Sequence, residues 1–246
     1  MPAPAARSVI RELQSLGTPA KAQASARFFK TAEGQYGYGD VFFGVTVPEQ
    51  RKVARRYRSL PLAEVALLLE QDVHEARLTG LLILVEQYRK ADASGRAQIA
   101  RFYLTHKRRV NNWDLVDSSA PYILGAYLLT RDRSILYRLA RSKQVWDRRI
   151  AIIATQAFIR DGEFEDTLKL AKLTLADPHD LIHKAVGWML REVGDQSREV
   201  EERFLEQHAA AMPRTMLRYA IEKFPEVDRR RYLRMTHPAP NPRTRS

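Results

Sequence analysis

The chain has 246 residues, of which 45% are apolar, and it carries a formal net charge of +12. This apolar content is enough for a buried core, and the absence of cysteine excludes disulfides, thiolate metal sites, iron-sulfur clusters and cysteine nucleophiles. Arginine-rich positive charge indicates binding to a polyanion, and guanidinium geometry favours the phosphates of nucleic acid.

The first seven residues lack the apolar core of a leader peptide, and no later apolar run approaches the roughly 20 residues that span a bilayer. No segment has the broad apolar face of an interfacial membrane helix. We therefore expect a soluble cytoplasmic protein without membrane contact, associated with the nucleoid when it is bound to DNA.

Apolar residues recur at helical spacing along most of the chain, without sustained alternation of period two. In chain order the periodic segments are Ala63 to Leu69, Leu78 to Tyr88, Ile99 to Leu104, Val116 to Leu129, Ile150 to Phe158, Leu168 to Leu175, Val186 to Val193 and Met216 to Ile221. The pattern predicts an all-α fold of short helices.

Helix starts that combine basic and apolar residues recur at roughly 32 to 36 residues, close to the length of a two-helix repeat. This spacing favours an α-solenoid of HEAT-like repeats, with a compact helical bundle as the alternative. We expect one domain over residues 1–234. Residues 235–246, which are rich in proline and arginine, are expected to be a disordered basic tail.

The segment Asn111 to Asp117 predicts a capped helix that carries Trp113 and Asp117 on one face, four residues apart. Pro121 follows Asp117 by four residues, so we expect a kink at the acid. A carboxylate there suits a reaction with a cationic transition state. Read alone, the segment fits packing better, with Trp113 in the core; Asp114 is expected to be only a first-turn acid.

Two further segments place bases and an aromatic residue at the start of an apolar helix, an arrangement suited to phosphate contact. They are Trp146 to Ile153 and His183 to Glu192. The candidate DNA-binding residues are Arg149, Arg148, Lys184, Arg77 and Arg191. If helix pairs stack in parallel, we expect Arg77, Trp113, Arg149, Lys184 and Trp188 to share one surface.

Neither a metal nor a nucleotide cofactor is expected. His179 and His183 have the spacing of a helical metal pair but lack the glutamate of a metalloprotease motif and a third ligand. The glycine-rich run from Phe28 to Asp40 is not followed by Gly-Lys-Ser/Thr, so it does not predict a phosphate-binding loop.

Several segments together resemble the AlkD-like family of DNA alkylation repair glycosylases, which are HEAT-like repeat proteins. The resemblance spans about Phe28 to Tyr219. It is carried by Phe29-Lys30-Thr31, Gly37-Tyr38-Gly39-Asp40, Gly44-Val45-Thr46-Val47-Pro48, Trp113-Asp114-Leu115-Val116-Asp117, Arg149-Ile150-Ala151 and Lys184-Ala185-Val186-Gly187-Trp188-Met189-Leu190-Arg191-Glu192. Phe28 stands where some members carry tyrosine.

The resemblance implies a monofunctional enzyme that hydrolyses the N-glycosidic bond of purines alkylated at N3 or N7 in duplex DNA. It implies catalytic roles for Asp117, Trp113 and Trp188 and a DNA-backbone contact for Arg149. We expect a monomer without cofactors. The alternatives are a non-catalytic DNA-binding solenoid, which has no need of Asp117, and a protein-interaction scaffold, which needs neither the acid nor so much arginine.

Overall fold

A computed structural model describes residues 5–235, and these residues are helical almost throughout. The all-α prediction is confirmed, because the only strand-like pairing in the described part of the chain is a single parallel bridge between Val41 and Val73. The chain divides after Arg131 into two compact units, called unit 1 and unit 2 below. The expectation of a single domain over residues 1–234 stays a prediction.

Unit 1 contains eight α-helices within its described residues. They are α1 (Ala6–Leu16), α2 (Pro19–Phe28), α3 (Val47–Arg56), α4 (Leu62–Leu69), α5 (His74–Lys90), α6 (Ala93–Thr105), α7 (Trp113–Asp117) and α8 (Ala126–Leu128), with a 3-10 turn at Lys107–Arg109 and a π-helical turn at Pro121–Gly125.

The central helix of unit 1 is α5, which packs against α1, α3, α4, α6 and α7. It is buried on every side from His74 to Val85, so the narrow apolar stripe of a surface helix is absent. Gly80 lets α4 approach closely, because a Cβ there would lie 3.2 Å from the Leu68 side chain. Charged residues in the first turn of α5 are therefore interior residues.

Unit 2 contains the other eight α-helices of the described chain. They are α9 (Ser134–Ala140), α10 (Val145–Ala154), α11 (Gln156–Arg160), α12 (Glu165–Leu173), α13 (Asp180–Gln196), α14 (Arg198–His208), α15 (Arg214–Ala220) and α16 (Glu226–Met235), with 3-10 turns at Ala209–Ala211 and Ile221–Lys223.

The centre of unit 2 is α13, which packs against α10, α11, α12, α14 and α15. Gly187 sets its distance from α15: a Cβ at this position would lie 2.4 Å from the carbonyl oxygen of Met216 and 2.5 Å from Cβ of Tyr219. Such a distance is closer than packed side chains allow. The glycine before Trp188 therefore brings α15 against the helix that carries this indole.

The structure differs from the sequence predictions at several helix ends. The segment Val116 to Leu129 is interrupted, and Ile150 to Phe158 is divided at Thr155 between α10 and α11. Met235, the first residue of the predicted disordered tail, is the last residue of α16, and residues 236–246 lie outside the described residues. No described helix is both long enough and apolar enough to cross a membrane.

Candidate functional site

The helix that carries Trp113 and Asp117 is a single capped turn. Asn112 is buried in an extended conformation, and its side-chain oxygen accepts a hydrogen bond from the backbone N–H of Trp113 at 2.8 Å. The predicted asparagine cap is confirmed. Trp113 begins α7 and Asp117 ends it, and both are half-buried.

The sequence predicts a kink at the acid, and the structure has a full break there, since α7 ends at Asp117. Pro121 has no N–H to continue the helix and instead begins a π-helical turn, in which the N–H of Gly125 donates to the carbonyl of Ala120 at 2.9 Å. A π-turn is a rare element that recurs at functional sites. Asp117 therefore lies at the junction between two helical geometries.

Tyr103 is the buried neighbour of Asp117. Burial raises the pKa of this phenol, and the negative charge of Asp117 raises it further. The hydroxyl is 3.1 Å from Oγ of Ser119, which donates to the carbonyl of Leu115 in α7. Tyr103 is therefore a neutral phenol, and it is linked to α7 through the hydroxyl of Ser119.

The indole of Trp113 belongs to an aromatic stack. It lies on Phe29, with ring centroids 5.4 Å apart and an interplanar angle of 23°, and Phe29 in turn lies on Phe42 at 5.3 Å and 15°. Phe28 meets Trp113 edge-on at 5.8 Å and is 64% exposed. The stack therefore runs from two half-buried phenylalanines to the indole, with an exposed phenylalanine beside it.

A buried charged cluster lies beside this stack, and we define it as Asp40, His74, Arg77 and Asp114. His74 Nδ1 is 2.9 Å from Asp40 and Nε2 is 2.7 Å from Asp114. Arg77 Nη2 is 2.5 Å from the other oxygen of Asp40. Burial lowers the pKa of His74, but Asp114 and Asp40 outweigh it and raise that pKa to about 9.

Two sequence expectations are corrected by the charged cluster. Asp114 is not merely a first-turn acid at a helix dipole, since it is 8% exposed and paired with His74. Arg77 was expected on a DNA-facing surface, but it is 1% exposed and also donates to the carbonyls of Gln71 and Asp72. A buried guanidinium cannot reach a phosphate of bound DNA, so Arg77 does not belong to a DNA-facing surface.

The side chain of Glu75 binds the backbone of the loop around Gly44, which precedes α3. Its carboxylate accepts hydrogen bonds from three successive N–H groups, those of Phe43, Gly44 and Val45, at 2.8 to 3.2 Å. Gly44 has a φ of +82°, and a Cβ there would lie 2.4 Å from the carbonyl of Thr18. The first turn of α5 thus fixes the loop that contains Asp40 and Phe42.

Trp188 lies in unit 2, half-buried on α13. Its Nε1 donates to Glu192 one turn later at 2.9 Å, and the second oxygen of Glu192 accepts from Gln156 at 3.2 Å. These hydrogen bonds hold the indole in one orientation.

A basic cleft of about 740 Å³ lies between α13 and α15. It is lined by five cationic and two acidic side chains, together with Thr215 and Tyr219: Lys184, Arg191, Arg214, Arg218 and Arg229 beside Asp180 and Glu222. Lys184 pairs with Asp180 at 2.8 Å and Arg191 pairs with Glu222. The structure therefore brings two of the predicted DNA-binding residues, Lys184 and Arg191, to one cleft.

The other two predicted phosphate ligands, Arg148 and Arg149, are engaged inside unit 2. Arg148 binds both carboxylate oxygens of Asp177, at 2.6 and 3.2 Å, and donates to the carbonyls of Ser142 and Lys143. Arg149 is 5% exposed and donates to the carbonyl of Leu181 at 2.6 Å. Their DNA contacts were predicted from the sequence alone, and the internal partners favour a structural role for both residues instead.

The two histidines considered as a metal pair have other partners. His179 Nδ1 accepts from the N–H of Leu181 at the start of α13, and His183 Nε2 lies 2.5 Å from the carbonyl of Asp177. Among the residues described, no group of three histidine, aspartate or glutamate side chains is arranged to hold a metal ion.

Several charged residues with roles in the two units were not predicted from the sequence. The roles of His74 and Asp40 were not predicted because their partners are far away in sequence. A signal was present, since His74, Glu75 and Arg77 in one helical turn are an unusual start for an apolar helix. Arg218 lies within the predicted helical segment Met216 to Ile221 but was not predicted to bind DNA. On α3 and just beyond it, five exposed basic residues form a further positive surface: Arg51, Lys52, Arg55, Arg56 and Arg58.

Comparisons with known proteins agree on one family. The model of the DNA alkylation repair enzyme family matches residues 9–224. A solved structure, a predicted DNA alkylation repair enzyme from Enterococcus faecalis, has the same fold with a TM-score of 0.69, at 15% identity over 85% of this chain and 97% of that one. A search of curated proteins found no relative. Because the family model covers most of its length, the chain belongs to the DNA alkylation repair enzyme family.

Proposed function

We propose that the protein is a monofunctional DNA glycosylase that removes N3- or N7-alkylated purines from duplex DNA. The observation that carries the proposal is the placement of Trp113 and Asp117 at the two ends of one short helix, beside an exposed aromatic ring. Family membership supports a DNA repair role, and the net charge of +12 supports a nucleic acid substrate.

The proposed reaction does not require a strong general acid. An alkylated purine already carries a positive charge, so it leaves as a neutral base when the electron pair of the C1′–N bond passes to it. The sugar becomes an oxocarbenium-like cation, and an ionised Asp117 would stabilise that charge. The same carboxylate would accept a proton from the water that adds to C1′, leaving an abasic site in an intact strand.

The aromatic residues would bind the cationic nucleotide. An indole face attracts a cation with about 0.5 to 2 kcal/mol, depending on desolvation. Trp113 is held by Phe29 from one side and is flanked by the exposed Phe28. Trp188 is held by Glu192, and its role carries over from the family resemblance.

Backbone phosphates would be bound by the cleft of unit 2. Lys184, Arg191 and Arg218 line it, and the guanidinium of Arg218 makes no ion pair or hydrogen bond to any described residue. Each phosphate contact releases a counterion, so affinity through this cleft would fall steeply with salt. The exposed basic residues on α3 and just beyond it would give unit 1 a positive surface of its own.

The test is release of free base from duplex DNA that contains 7-methylguanine. The glycosylase releases 7-methylguanine and leaves a strand that breaks only after alkali or an abasic-site nuclease is added. Strand breaks without that treatment would contradict the monofunctional assignment. Retained DNA binding without any base release would instead favour a non-catalytic DNA-binding protein.

A further inference from the structure

The Gly37-Tyr38-Gly39-Asp40 segment has no role in the chemistry proposed above, yet its last residue is the hub of a buried network. Asp40 receives His74 Nδ1 and Arg77 on its two oxygens, and Asn112 Nδ2 donates to it at 3.2 Å. Asn112 is also the cap of α7. The loop before α3 is thereby bonded to the residue that precedes Trp113.

His74 bridges this loop to α7 itself. Both ring nitrogens lie within hydrogen-bond distance of a carboxylate, Nδ1 of Asp40 and Nε2 of Asp114. A carboxylate accepts hydrogen bonds and a neutral imidazole has only one N–H, so both bonds form fully only when the ring is an imidazolium. The His74 side chain is 2% exposed, so water does not replace either partner.

The same ring belongs to the aromatic stack. Its centroid is 4.7 Å from Phe29 and 4.8 Å from Phe42, and Phe29 is the ring on which Trp113 lies. His74 is therefore linked to Trp113 in two ways. One is through the carboxylate of Asp114, the residue after Trp113, and the other is through the ring of Phe29. The charged groups that face the imidazole are Asp40 and Asp114, and Arg77 acts through Asp40.

We propose that charged His74 is a positioning residue: by bridging Asp40 and Asp114 it fixes α7 and sets the orientation of Trp113 toward the lesion. The inference rests on the proposed glycosylase function for its kinetic consequence, whereas the coupling between His74 and Trp113 is a property of the free protein. Loss of the proton leaves Asp40 and Asp114 facing a ring with a single N–H, so one of the two hydrogen bonds by which His74 links the loop to α7 is lost.

Fluorescence of Trp113 tests the coupling without DNA. In a protein carrying Trp146→Phe and Trp188→Phe, Trp113 is the remaining tryptophan of the three. We expect its emission to change in a step with a midpoint near pH 9. The step should disappear on adding His74→Gln and move to lower pH on adding Asp114→Asn. No step between pH 7 and 10, or a step that persists with His74→Gln, overturns the inference.

Single-turnover kinetics test the consequence for the reaction. With the tryptophans restored, His74→Gln and Asp114→Asn should each lower the rate of base release from bound DNA by about tenfold, the order expected for a misplaced group, while Kd changes by less than about threefold. Both values are corrected for the folded fraction measured by circular dichroism. A rate unchanged in both variants overturns positioning.

The two tests separate the two proposals. If the wild type releases no base, the glycosylase proposal fails, and the pH step alone decides whether His74 controls Trp113. If base release is seen but the step is absent, only the positioning inference fails.

Discussion

The indole of Trp113 lies on the ring of Phe29, with centroids 5.4 Å apart and planes inclined by 23°. Phe29 belongs to the turn after α2, while Trp113 begins α7, so a contact remote in sequence determines which face of the indole stays accessible. Phe29 also stacks on Phe42, lies beside the tilted ring of His74 and meets Phe28 edge-on.

Removing the ring of Phe29 is expected to lower the stability of the fold and to slow base release. Phe29→Ala should lower the free energy of unfolding by about 2 kcal/mol, less than for a fully buried phenylalanine because the ring is half-buried. Base release should slow in parallel because the indole is no longer held. Phe29→Leu is the control that keeps most of the apolar volume, and chemical denaturation gives the stability. A fully stable Phe29→Ala protein would contradict the stacking account.

The cleft between α13 and α15 is expected to govern the salt dependence of DNA binding. Arg218→Ala should reduce the slope of log affinity against log salt by about 0.9, the value for one lost phosphate contact. Arg203→Ala, an equally charged change on α14 outside this cleft, should leave the slope unchanged. Fluorescence anisotropy at several salt concentrations gives both slopes, and equal slopes in the two variants would remove the cleft from the DNA surface.

Arg148 is expected to act on stability rather than on DNA affinity. With Asp177 5% exposed at its side chain, Arg148→Ala leaves a carboxylate buried without its partner, which costs about 3 kcal/mol. Thermal unfolding should occur at clearly lower temperature, while Kd measured below that temperature stays near the wild-type value. Arg141→Ala, at an exposed position close by, is the control. A large loss of affinity with normal stability would restore Arg148 as a phosphate ligand.

Glu201 makes stability depend on pH between about 4.5 and 8. It is 1% exposed, and burial raises its pKa to about 8, above the ordinary value of 4.5 expected in the unfolded chain. The folded protein therefore holds this proton more tightly, and the corresponding stability is full below pH 4.5 and is lost as the pH rises through 8.

The variant Glu201→Gln removes this titration. Its melting temperature should exceed that of the wild type by a few degrees at pH 8.5, and the gap should close by about pH 5. The exposed Glu206 supplies the control, Glu206→Gln. A gap that does not change with pH would mean that Glu201 is ionised in the folded protein.

What could be predicted from the sequence was mostly local. The asparagine cap, the shared helix of Trp113 and Asp117, and the break before Pro121 depend on neighbours a few residues apart, and local rules describe them. The π-turn that follows the break was not predicted, because its form depends on packing against α5 and α6.

The partners of charged residues were not predictable in the same way. His74 and Asp40 are 34 residues apart, and His74 and Asp114 are 40 apart, distances that no helical period links. Arg77 was placed on a surface because helix pairs stacked in parallel would line one side with it, yet α5 is enclosed by its neighbours and its first-turn charges pair inside. Burial of a whole helix is a tertiary property, so the spacing of helix starts did not reveal it.

The proposed reaction depends on the negative charge of Asp117, and one pair of variants tests this dependence. Asp117→Asn keeps the shape of the side chain and removes its charge, while Asp161→Asn makes the same change at an exposed site in unit 2. Single-turnover release of 7-methylguanine from duplex DNA should fall by at least about 100-fold in Asp117→Asn, the order seen when one electrostatic stabiliser is removed. Kd should remain within about threefold, and Asp161→Asn should react like the wild type. Base release by Asp117→Asn at the wild-type rate would contradict the account.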